Sequence, residues 1–123
     1  MVTARRKYLV RRVAKLYGIV GKVAGRYVVA GYSVEFNHPT RYSSVHVVAR
    51  GNGQVLTVEV VHERGRLTVD TARNLLEKAK LIKARPILAV YGLGWSDIPE
   101  ELKRFCEENG IKLRVVGELK EVT

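Results

Sequence analysis

"SSVHVVARGNGQVLTVEVVH", residues 43–62, decides how this chain folds. Two valine-rich runs, 43–49 and 54–62, flank Gly51-Asn52-Gly53, residues that tolerate positive φ, so the stretch predicts a β-hairpin closed by a tight turn. Within the second run Glu59 places a carboxylate in an otherwise apolar strand. What that carboxylate does is the functional question the sequence raises.

Upstream of the hairpin, "RYVVAGYSVEF" (26–36) reads as a further strand, set apart by "NHPTRY", where Pro39 breaks any ladder. The three strands form an antiparallel meander. Before them, from Thr3 to about Val23, the residues Leu9, Val10, Val13, Leu16, Tyr17 and Val20 recur at helical spacing with basic residues elsewhere around the wheel; Gly25 breaks the pattern.

Downstream, Thr68 or Asp70 caps a second helix. Ala72, Leu75, Leu76, Ala79 and Ile82 trace one of its faces, and Arg73, Asn74, Glu77, Lys78 and Lys80 another, until Pro86 stops it. "PILAVYG" lacks alternation and reads as a strand covered on both faces. Ser96 or Asp97 caps a third helix that turns Ile98, Leu102, Phe105 and Cys106 inward and closes at Gly110; the alternating "IKLRVV" is the last strand. The order α-β-β-β-α-β-α-β predicts one α/β domain over residues 1–123, a mixed sheet with helices on both faces in three layers, and a right-handed parallel crossover after the meander.

Lysine and arginine total 22 against 12 acids, a net charge of +10. The surplus is concentrated: Arg5, Arg6, Lys7, Arg11, Arg12, Lys15, Lys22 and Arg26 all precede the first acid, Glu35. Such a segment attracts polyanions, of which nucleic acid is the commonest in a cell; a solubilising basic surface is the plainer alternative. A single cysteine, Cys106, excludes an intramolecular disulfide and a cysteine metal cluster. No apolar run reaches the roughly 20 residues of a membrane helix and no signal peptide is legible, so the expected location is the cytoplasm. One methionine, one cysteine and many charged residues and valines suit a hyperthermophile.

The element order, together with Val45-His46-Val47-Val48-Ala49 on one hairpin strand and Val58-Glu59-Val60-Val61 on the next, resembles the PD-(D/E)XK, or restriction-endonuclease-like, superfamily, archaeal Holliday-junction resolvases among them. The family's hairpin carries an aspartate where this chain has His46, and Glu-X-Lys where it has Glu59-Val60-Val61. The resemblance implies that aspartate and glutamate hold Mg2+ or Mn2+ through oxygen while the lysine serves the attacking water. Only Glu59 survives, and Val61 cannot replace a lysine. A migrated site would draw on His62, Glu63, Asp70, Lys78 or Lys80, although His62 lies on the opposite face of its strand from Glu59. The alternative reading of Glu59 is an ion pair across the hairpin with a base such as Arg50, and of His46 and His62, structural residues facing solvent.

"RYSSVHVV" and "KARPILAVYG" are similar in outline to the C-terminal domain of archaeal tRNA-splicing endonuclease subunits, with Ser43 at the family's histidine position and Lys83 near its lysine. Both resemblances imply a nuclease-like frame without a full set of catalytic groups. The expected function is therefore binding of DNA or RNA through Arg5, Arg6, Arg11, Arg12, Lys15, Arg41, Arg64 and Arg66, with Tyr42 or Trp95 stacking on an unpaired base. The alternatives are a metal-dependent nuclease with a migrated site, and a structural subunit exposing an apolar patch along "VHVV" or "PILAVY" to a catalytic partner. A homodimer through the edge of the meander is a further expectation.

Overall fold

The computed structural model describes residues 4–40 and 44–117, the side chains of residues 12–17 excepted. The hairpin forms as its sequence dictates: β2 (Val45–Gly51) and β3 (Gln54–Val61) pair antiparallel, and the turn places Asn52 at φ 51° and Gly53 at φ 75°. Two consecutive positive φ values match the right-handed twist of the flanking strands. β1 (Ser33–His38) pairs antiparallel with β2, while β4 (Arg85–Tyr91) and β5 (Lys112–Val116) add in parallel, giving a five-stranded mixed sheet of order β1-β2-β3-β4-β5.

α1 spans Ala4–Val29, so it runs on through Arg26-Tyr27-Val28-Val29, where the valine-rich pattern predicts strand. Tertiary packing overrides β propensity here: Val23, Ala24, Tyr27 and Val28 continue the apolar face begun by Ile19 and Val20 and are buried against the sheet. Gly25, expected to break the helix, lies inside it. The interruption falls instead at Gly18, whose φ of 60° and ψ of −132° are open only to glycine. A Cβ on Gly25 would stand 3.0 Å from Cγ1 of Val10, which lies about as far before Gly18 as Gly25 lies after it. The two halves of α1 therefore fold back on one another as an αα-hairpin.

On the opposite face, α2 (Val69–Leu81) and α3 (Glu100–Glu108) carry the two parallel crossovers. Thr68 caps α2 by accepting the Thr71 N–H. Its C-terminus comes before Pro86: Lys83 takes the left-handed conformation (φ 53°) and Ala84 N–H bonds Ala79 O at 2.9 Å, satisfying a terminal carbonyl. α3 closes the same way at Gly110, with Ile111 N–H on Cys106 O at 2.9 Å. Ser96 and Asp97 do not cap α3; they lie in a 3-10 turn, Trp95–Asp97, and Asp97 accepts the Gly94 N–H before Pro99 leads into the helix.

Alternation along the strands separates two cores. Val47, Ala49, Val58, Val60, Ile87, Ala89 and Tyr91 pack under α1, and Val61, Leu88 and Val90 pack under α2 and α3 with Leu75, Leu102 and Cys106. "PILAVY" is thus buried on both sides, as predicted, and Val45, Val47 and Val48 are fully buried; neither stretch offers the exposed apolar patch that the subunit reading needs. Burial pushes the Cys106 thiol up to about 11, so it is a core side chain. No helix among the described residues is long and apolar enough to cross a membrane.

Candidate functional site

Odd-numbered side chains of β3 face α2, so Glu59 points at the helix. There it meets Lys78, whose Nζ lies 3.5 Å from Glu59 Oε2 and donates to Ser44 O at 2.9 Å. Glu59 is 5% exposed and Lys78 3%. The helical periodicity assigns Lys78 to the polar face of α2; in the structure it sits at the margin of the apolar stripe, one turn from Leu75 and beside Ala79, and is drawn inward by the carboxylate. Arg50, the expected cross-hairpin partner of Glu59, instead pairs with Glu35 on β1 at 3.0 Å.

His46 completes the cluster from β2. Direct β2–β3 pairing ends at Val47 and Val58, and past that point the Val60 N–H, which would otherwise bond the neighbouring strand, donates to His46 Nδ1 at 3.0 Å. An Nδ1 that accepts belongs to a neutral imidazole with its proton on Nε2. The same Nδ1 stands 3.6 Å from Glu59 Oε1, a buried oxygen without a hydrogen-bond partner among the described residues. Of the residues considered for a migrated site, Lys78 alone arrives: Asp70 pairs with Arg73 and Lys80 with Glu77 on the surface of α2, and His62 and Glu63 are exposed.

The donors do not suit a hard divalent cation. One carboxylate converges, one of its oxygens faces an ammonium, and the imidazole nitrogen nearest to it is engaged by a backbone N–H. Among the described residues no three acid, histidine or cysteine side chains could together hold a metal ion.

Burial holds the His46 pKa below the ordinary imidazole value; the Glu59 carboxylate opposes this, while Lys78, Arg66 and His62 reinforce it. The unfolded chain takes up this proton near pH 6.5, the folded chain only at lower pH, so between the two the unfolded state binds more protons. Stability is therefore expected to fall as the pH drops through about 6.5, and His46→Gln to flatten that part of the curve, as read by denaturant melts at a series of pH values. Glu35 contributes a separate step at lower pH. Hydrogen bonds from His38 and Arg50 hold its carboxyl below the usual carboxylate range, and the stability they supply is lost on acidification through that lowered value.

The structure places part of the basic set predicted to bind phosphate. Arg5 and Arg11 are exposed on the first half of α1, and Arg6 is half-buried near Gly31. The side chains of Arg12 and Lys15, and the whole of Arg41 and Tyr42, lie outside the described residues. Arg64 is tied to Asp97 at 2.6 Å, and Arg66 is exposed in the 3-10 turn Arg64–Arg66. Trp95 is 53% exposed, with the Lys103 ammonium 4.9 Å from its ring centre.

Cations converge elsewhere. α1 packs over β1 to β4 and reaches β5 mainly at the buried Val116, opening a groove of about 900 Å³ between the second half of α1 and the sheet. Arg26 lines one wall; Arg85, Lys112 and Arg114 line the other. No acid lines it, and none of the four makes an ion pair among the described residues. The alternation of "IKLRVV" puts Lys112 and Arg114 on one face of a strand, a signal legible in the sequence; their meeting with Arg26 and Arg85 depends on the sheet order. Comparison with protein-family models, curated proteins and solved structures finds no match to this chain.

Proposed function

We propose that this chain binds nucleic acid on a frame resembling that of the PD-(D/E)XK nucleases and does not cleave it. The observation that carries the reading is the groove in which Arg26, Arg85, Lys112 and Arg114 face one another with no carboxylate among the lining residues. Like charges gathered without counter-charges repel one another, and a polyanion relieves that repulsion while releasing its own counterions. On this reading Glu59 and Lys78 are a buried structural pair: the carboxylate that would ligate a metal in the family is spent on an internal ammonium.

A second reading has one observation in its favour. Lys78 reaches Glu59 from the following helix, which is where a migrated lysine of a resolvase-like nuclease would stand. The two separate on a labelled panel of four-way junction, duplex, single-stranded DNA and structured RNA, incubated with magnesium or manganese beside Glu59→Gln. Binding predicts intact shifted bands for both proteins, with log affinity falling linearly against log salt. Metal-dependent cleavage by the unaltered chain that Glu59→Gln loses would establish the nuclease.

A further inference from the structure

We infer that the groove between α1 and β5 takes an unpaired nucleic-acid strand in preference to a duplex; the inference rests on the nucleic-acid-binding reading above. Its construction is two-toned. The floor is apolar, made by Leu56, Ile87 and Val116 of the sheet, and the walls carry the four cations. A single strand has the matching pair of surfaces, flat base faces and a charged backbone. A duplex keeps its base faces stacked inside and presents phosphates on a stiff convex surface, so it could engage the walls only at their rim and would leave the floor uncovered.

The groove is also preorganised. Arg85 Nη1 donates to Gln54 Oε1 at 3.3 Å, and Gln54 Nε2 donates to the Tyr32 hydroxyl at 2.8 Å, so a cation and an aromatic ring are held by one amide. Tyr32 stands edge-on to Tyr27, with ring centres 5.9 Å apart, which fixes its plane. Both rings line the groove, Tyr27 from α1 and Tyr32 from the segment that follows it. Lys112 and Arg114 are two residues apart on β5, about 6.7 Å in an extended strand, a spacing that a flexible single-stranded backbone can match by rotating its own torsions. Asn52 and Gln54 close the hairpin end with amides able to bond a base edge or a sugar hydroxyl.

The test compares a short labelled oligothymidylate, its RNA equivalent and a duplex of the same length by fluorescence anisotropy across a salt series. The proteins are the full chain, Lys112→Thr/Arg114→Thr, and the charge-matched control Arg73→Ser/Arg104→Ser on the helices of the other face; thermal melts confirm that each is folded. Tighter binding of a single strand than of duplex supports the inference when the groove variant binds that strand roughly tenfold more weakly with a salt slope smaller by about 1.4, and the control binds normally. A preference for one of the two single strands names the sugar. Equal or tighter duplex binding, or equal weakening in the groove variant and the control, overturns it and leaves nucleic-acid binding standing. Absence of binding to any probe overturns both.

Discussion

Lys78→Ala is expected to lose about 3–5 kcal/mol of folding stability, the cost of removing one partner from a buried ion pair. Glu59 would be left buried in a site where Oε1 already lacks a hydrogen-bond partner among the described residues, and Oε2 would lose the ammonium at 3.5 Å. The Ser44 carbonyl, now bonded to Lys78 Nζ at 2.9 Å, would lose its donor as well. Urea melts give the number. The paired substitution Glu59→Leu/Lys78→Met should recover most of the loss, because well-packed apolar groups of similar size often replace a buried pair at no net cost. That double variant also decides the role of the pair: a structural pair can be replaced with groove binding intact, whereas a pair that serves the ligand cannot. A loss of under about 1 kcal/mol for Lys78→Ala would mean that the pair behaves like a solvated one, and the site would then be open to water and to substrate.

What could be read from the sequence divides along the range of the interactions. The β2–β3 turn, the cap at Thr68 and the closure at Gly110 rest on contacts a few residues apart, and β4 announces its double covering by an unbroken apolar run, so each is legible from its own residues. Lys78 is not: its helical position suits either face, and the carboxylate that decides is nineteen residues earlier, on a strand whose direction of facing depends on the sheet. The groove required still more, since Arg26, Arg85 and the β5 pair come together only once the strand order and the reach of α1 are known. His46 stands where the resemblance expects an aspartate and otherwise reads as a structural residue facing solvent; the structure gives its Nδ1 to the Val60 N–H, past the point where the β2–β3 ladder stops.

Gly25→Leu tests the largest departure from the sequence pattern, and it does so by the sign of its effect. Were Gly25 a helix break in an exposed connection, leucine would be harmless, and within an open helix it would stabilise by up to about 1 kcal/mol through helix propensity. In the αα-hairpin even a Cβ meets Val10 Cγ1 at 3.0 Å, so a leucine must push the two halves of α1 apart. The expected result is a loss of about 1–3 kcal/mol from overpacking, lowering Tm by roughly 3–6 °C per kcal/mol for a chain of this size. Adding Val10→Ala should return part of that loss, a coupling that a double-mutant cycle measures directly and that no helix-break reading predicts. The consequence reaches the groove: Val23, Arg26, Tyr27 and Ala30, on the half of α1 that holds Gly25, form its helical wall. Gly25→Leu should therefore weaken single-strand binding without removing a groove side chain, and Val10→Ala should restore affinity in step with stability.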